Sequence, residues 1–178
     1  DMANWEAKRL PDNLPFYDYA PDVRVIGDYV YFSASKRGEP CNFYRTKNIE
    51  EGPYEEIKGT FDFWDPNLFV DDDGKVYFYW GCANMTPIWG VEMDPETMQP
   101  KTERIELVHG NEVCGEDHCD LPLEDDALEA KYRGFMQMQG MDPDNLPPQM
   151  QGMAIMLKGY VSGRPYIEGA WMDKHDGK

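Results

Sequence analysis

The stretch from Trp64 to Gly81 constrains this chain more than any other. An apolar run, Asn67 to Val70, ends in Asp71-Asp72-Asp73-Gly74 and resumes as Val76-Tyr77-Phe78-Tyr79-Trp80. Asp and Gly supply turn chemistry while β-branched and aromatic residues supply strand character, so the spacing predicts a hairpin. Pro66 has no N–H and a fixed φ, which suits a strand start or a sheet edge. Asp65, between Trp64 and Pro66, is thereby expected to point from the rim of a sheet toward whatever the sheet faces.

The module recurs. Tyr19-Ala20-Pro21-Asp22 leads Val23 to Ile26, a Gly27-Asp28 turn and the aromatic run Tyr29-Val30-Tyr31-Phe32. Near the C-terminus, Tyr166-Ile167-Glu168-Gly169-Ala170-Trp171 leads to Asp176-Gly177, repeating the first half. Each copy sets an acid (Asp22, Asp65, Glu168) before an expected strand. Repetition at the length of a four-stranded blade predicts an all-β fold, a β-propeller.

At these three copies the chain resembles glycoside hydrolase family 43, the five-bladed propeller arabinofuranosidases and xylosidases. The family pattern runs Trp-Ala-Pro-Asp, then Asp-Pro-x-x-Phe with an Asp-Asp-Gly-Lys turn, then Glu-Gly-Pro-Trp. Here these are Tyr19 to Asp22, Asp65 to Lys75 and Glu168 to Trp171, with Tyr19 for the usual Trp and Ala170 for the usual Pro. The resemblance covers about Tyr17 to Lys178, with an unmatched stretch between Asn111 and Pro165. It implies that Glu168 is the general acid and Asp65 the carboxylate that holds the acid's pKa up by like-charge proximity. It also implies an inverting mechanism, with a general base in an Asp-Pro motif of the first blade, upstream of Ala-Pro-Asp. The chain is thus expected to be an internal piece of a propeller, about two blades and the start of another, without that base. Alone it is expected to be inactive.

Inverting chemistry sets its two carboxyl groups ~6.5–9.5 Å apart, leaving room for the attacking water. Ile167 and Trp171 beside Glu168, and Trp64 beside Asp65, are expected to desolvate the pair. Tyr19, Trp64 and Trp171 are candidate sugar-stacking residues, and Asp22 a further substrate-side candidate with a mainly structural reading. For each acid the plainer alternative is a strand cap accepting backbone N–H bonds. The ordered match of all three motifs argues for catalysis at Asp65 and Glu168. The substrate is expected to be an oligosaccharide or polysaccharide of plant origin. A non-catalytic carbohydrate-binding or interaction module on a propeller scaffold is the alternative, and a structural propeller unrelated to glycans ranks last.

A formal net charge of −17 excludes a phosphate backbone as partner, which requires a basic surface. Neutral glycans fit, as does a charged surface that serves solubility. The chain of 178 residues is 41% hydrophobic and 13% aromatic, enough for one β-rich domain. No run approaches the ~18 apolar residues of a membrane span. No cofactor is expected. An extracellular or periplasmic place is slightly favoured over a cytoplasmic one, and both stay open.

The pattern divides into a linker (1–16), a blade (17–60), a second blade (61–111), an irregular insertion (112–165) and the start of the next blade (166–178). Cys41 to Arg45 and Trp89 to Met93 read as strands, Asp94 to Thr97 as a turn, and Leu123 to Tyr132 as a short helix. Met136, Met138, Met141, Met150, Met153 and Met156 read as a loop over the sheet, or as an adaptable binding surface. Cys114 and Cys119, with His118 between them, allow a local disulfide. A zinc site would need His109 as fourth donor and lacks a Cys-x-x-Cys pair. Cys41 and Cys82 read as buried strand thiols. Asp71 to Gly74 is no calcium loop, because Gly74 at position six would put Phe69 at position one. An open piece of propeller exposes a strand edge and blade faces, so association with another copy or with further blades is expected.

Overall fold

The computed structural model describes residues 3–10, 14, 19–36, 39–110, 125–151 and 153–177. Eight strands form two four-stranded sheets whose order follows the chain. The first contains β1 (Tyr19–Ile26), β2 (Tyr29–Ser35), β3 (Phe43–Thr46) and β4 (Glu55–Ile57). The second contains β5 (Asn67–Val70), β6 (Val76–Trp80), β7 (Ile88–Met93) and β8 (Ile105–Val108). Each is an antiparallel up-and-down meander, the blade unit of a propeller. The all-β class and the two blades read from the sequence are therefore present.

The residues cluster into two compact units, one of Asp1–Trp80, Gly90–Arg104 and Gly169–Lys178, the other of Gly81–Trp89 and Ile105–Glu168. In the first, the β5–β6 hairpin forms as its turn residues dictate. Val70 pairs with Val76, the Asp71 amide donates to the Lys75 carbonyl, and Gly74 takes a left-handed φ of 83°. Strand β6 alternates buried and half-buried residues, so Val76, Phe78 and Trp80 point inward. Phe43, Phe61, Phe63 and Phe78 meet with centroids 4.9–5.7 Å apart, Phe43–Phe78 and Phe63–Phe78 edge to face.

Asp22 lies within β1 rather than before it, next to a register shift between Tyr19 and Asp22 that marks a bulge. It is buried, and its Oδ2 accepts the Leu68 N–H at 2.8 Å, tying β1 to β5. Cys41 and Cys82 fall outside the strands expected of them. Cys41 precedes β3 and is fully buried, whereas Cys82 follows β6 and is half-buried. Gly81, at a φ of 147°, ends β6 at that point, and a side chain there would meet the Pro87 carbonyl at 2.9 Å.

The second unit is helical where the sequence suggests an irregular insertion. It carries α1 (Asp125–Met138), α2 (Pro148–Gln151) and α3 (Ala154–Ser162). The expected short helix is longer, since Asp125 and Asp126 favour its first turn and Leu128, Tyr132 and Met136 form one buried face. That face packs on Val161, with Ala154 and Leu157 of α3 alongside. The Met-rich stretch thus divides. Met136 is core, while Met138, Met153 and Met156 are exposed. Among the described residues no helix is long and apolar enough to cross a membrane.

Residues 168–174 form no strand. They find no ladder partner among the described residues, so their amides turn to side chains instead. The core and the Asp22 tie give graded stability effects. Phe78→Ala should cost about 3–5 kcal/mol and Asp22→Ala about 1–3 kcal/mol, with Asp22→Asn milder because an acceptor remains. Urea unfolding checks all three.

Candidate functional site

In the first unit the sequence candidates gather around Asp65. Its backbone has a φ of 52°, a left-handed conformation that Asp tolerates better than most residues. Its amide donates to Ser35 Oγ at 3.0 Å, and its Oδ2 accepts the Gly169 N–H at 3.1 Å. Gly169 directly follows Glu168 in the chain, and its φ of 62° suits glycine. Asp65 therefore fixes the peptide that succeeds the acid candidate. Asn67 repeats the device two residues on, its Oδ1 accepting the Met172 N–H at 2.9 Å.

Tyr19 and Trp64 come together, ring centroids 5.1 Å apart and planes tilted by 36°. Trp171 does not join them. It is 68% exposed and lies under the Arg24 guanidinium, 5.0 Å from ring centroid to Cζ. The desolvating role expected of it beside Glu168 is therefore not supported, since Trp171 and Glu168 are both exposed. Asp22 faces the Leu68 amide, which gives its carboxylate a structural task.

In the second unit, an antiparallel bridge pairs Ala83 with Ile167 through two 3.0 Å hydrogen bonds. Paired residues put their chain neighbours opposite one another, and so Cys82 meets Glu168. Cys82 Sγ lies 3.4 Å from Glu168 Oε2 and 3.8 Å from the Tyr166 hydroxyl, which donates to the Cys82 carbonyl at 3.2 Å. Sequence reasoning missed Ser35, Asn67, Cys82 and Tyr166. Only Cys82, two residues beyond the aromatic strand, carried a signal, and it read as core. Among the metal candidates, His109 has its Nε2 3.0 Å from Glu106 Oε2, while Cys114, His118 and Cys119 lie outside the described residues.

The turn after β5 holds one of the perturbed ion pairs of the chain. Lys174 bonds Asp71 and lies 2.9 Å from Asp72 Oδ2. The Lys174 ammonium, helped by the Asp72 amide, holds the Asp71 carboxyl below the usual carboxylate range, and Asp71 in turn raises Lys174. With the folded value depressed, the contact is present at neutral pH and is lost as pH falls through that value.

The chain belongs to the family described as glycosyl hydrolases family 43, whose model matches residues 1–119. It is similar to xylosidase/arabinosidase 43A of Humicola insolens, 24% identical over 202 residues, which cover 98% of this chain and 50% of that protein. The chain spans about half the length of that relative. Among solved structures it is similar to an exo-1,5-α-L-arabinanase from a bovine ruminal metagenomic library, 23% identical, with a TM-score of 0.45 over 68% of this chain and 50% of that one. It is also similar to arabinanase Arb43A of Bacillus subtilis, 20% identical, with a TM-score of 0.40 over 50% of this chain and 35% of that one.

Removing the cation should release the turn. In Lys174→Met the Asp71 titration midpoint should rise toward the usual aspartate value of ~4, without fully reaching it because the Asp72 amide bond persists. A carbon-detected NMR pH titration of the Asp71 carboxyl reads this directly.

Proposed function

We propose that this chain supplies the general acid and its partner carboxylate to an inverting hydrolase of arabinofuranosyl or xylosyl linkages in plant polysaccharides. Glu168 gives its proton to the leaving oxygen, and Asp65 orients it. The observation that carries the reading is the Asp65 bond to the Gly169 amide, in a chain of family 43 whose three acid-led motifs fall in the family's order. Asp22 also accepts a distant amide and serves structure, so it is the chain position of the Asp65 partner, next to Glu168, that bears on the role. Asp65 binds an amide 104 residues away, directly after Glu168.

This reading assigns the general base to an Asp-Pro motif of the first blade, so turnover is tested in the complete propeller. Tyr19 and Trp64 form the sugar-stacking pair of this reading. Exposed Val23 and Val25 on β1, with Ile105 and Leu107 on β8, favour association with another copy or with further blades.

In the complete propeller, Glu168→Gln should lower turnover of unactivated disaccharides by roughly 10²–10⁴-fold, the usual range for a lost proton donor. Aryl glycosides with good leaving groups need less protonation and should suffer less. Equal loss on both substrates would remove Glu168 from the acid role. The 178-residue chain alone should show no turnover above background and should sediment as more than a monomer. Glycan binding by the complete propeller without turnover would favour the non-catalytic module instead.

A further inference from the structure

A cavity of about 630 Å³ in the second unit is not used by the acid chemistry. One wall is a largely exposed face of α3. Ala154, Leu157 and Val161 pack toward α1. Met153, Met156 and Tyr160, spaced three and four residues apart, stand on another face, Met156 70% and Tyr160 78% exposed, with one side of the Tyr160 ring 5.8 Å from Phe135 of α1. An apolar stripe left open on a helix whose other side is already buried calls for an occupant. The stripe reaches the cavity because α3 is held close. Asn84 Nδ2 donates to the Gly159 carbonyl at 2.7 Å, and a side chain at Gly159 would sit 2.2 Å from Asn84 Oδ1.

Three features define the guest. The wall is methionine and tyrosine, which suits a flat, polarisable ring. Among the described lining residues Arg164 is the sole charged one, in a chain of net charge −17. Its Nε is buried with no hydrogen-bond partner among the described residues, while its Nη1 lies 3.9 Å from Met85 Sδ and its Nη2 3.6 Å from Asp125 Oδ1. A buried donor lacking an acceptor points to an oxygen on the guest. Cys82 and Tyr166 line the cavity too, and Cys82 touches Glu168.

We infer that this cavity binds the aryl portion of a leaving group that carries oxygen substituents, with the ring between Met156 and Tyr160 and a substituent oxygen facing Arg164. The assignment to the leaving-group side rests on the proposed role of Glu168, which protonates the oxygen joining that group to the sugar. The departing group then leaves as a neutral alcohol or phenol.

The test uses the intact chain and 4-methylumbelliferone in mildly acidic buffer, where this oxygenated aryl probe is neutral. Fluorescence polarisation should show saturable binding. Met156→Lys and Tyr160→Ala should each weaken it roughly tenfold, about 1.4 kcal/mol. Met156 is 70% exposed, so its thermal melt should stay unchanged and separate binding loss from unfolding, while Tyr160→Ala, which also removes the Phe135 contact, is read against Tyr160→Phe. Arg164→Gln should discriminate against the oxygenated probe relative to naphthalene. Glu168→Gln should leave probe affinity intact. Binding would then survive even if Glu168 failed as the acid, so the two readings fail separately. No saturable binding, affinity unmoved in both wall variants, or displacement by xylobiose alone would overturn the aryl site.

Discussion

The bond from the Leu68 amide to the buried Asp22 carboxylate is the constraint on which the first unit depends. Burying a carboxylate is expensive unless it accepts hydrogen bonds, so the residue persists only where the geometry satisfies it. Here one bond joins β1 to β5, whose amides and side chains then carry the rest. Asn67, the first residue of β5, holds the Met172 amide, and Asp71, just past its end, holds Lys174. Asp65, two residues before β5, holds Gly169. A short strand thus organises the C-terminal segment through side chains at and beyond its ends rather than through a ladder.

That arrangement explains how the candidate acid is placed. Glu168 is exposed, and among the described residues the Cys82 thiol, 3.4 Å away, is the hydrogen-bonding contact of its side chain. Its backbone is fixed instead. Ile167 before it is bridged to Ala83, and Gly169 after it is bonded to Asp65. Backbone fixation keeps the carboxyl group available for chemistry while limiting where it can go, the kind of preorganisation that acid catalysis requires.

Much of this was legible in the sequence because it is local. The Asp-Asp-Gly turn, the alternation in β6 and the Asp94 turn follow from residues adjacent in the chain, and Asp94 indeed caps the Glu96 and Thr97 amides. The family pattern added the order of the acids. What was not legible depends on distant pairing. The meeting of Cys82 and Glu168 follows from the Ala83–Ile167 bridge, and no local period announces it. Residues 168–174 carried a strand-like pattern, yet a strand needs a ladder partner as well as propensity. Helix α3 was hidden for the opposite reason. It is apolar around much of its circumference, which erases the one-sided period by which a surface helix is recognised.

The same property makes α3 informative. A helix buried on all sides is apolar all round, and a surface helix shows water a polar face. Helix α3 is neither, because Met156 and Tyr160 are exposed while Val161 is buried. Apolar area that stays in water contributes nothing to folding, because it is exposed in the unfolded chain as well, so this face adds no stability where it stands. Lys158, on the same helix, shows how such positions are used, since its ammonium reaches Glu129 at 2.6 Å. The contrast between Lys158 and the Met156–Tyr160 stripe separates structural surface from surface that has something to bind.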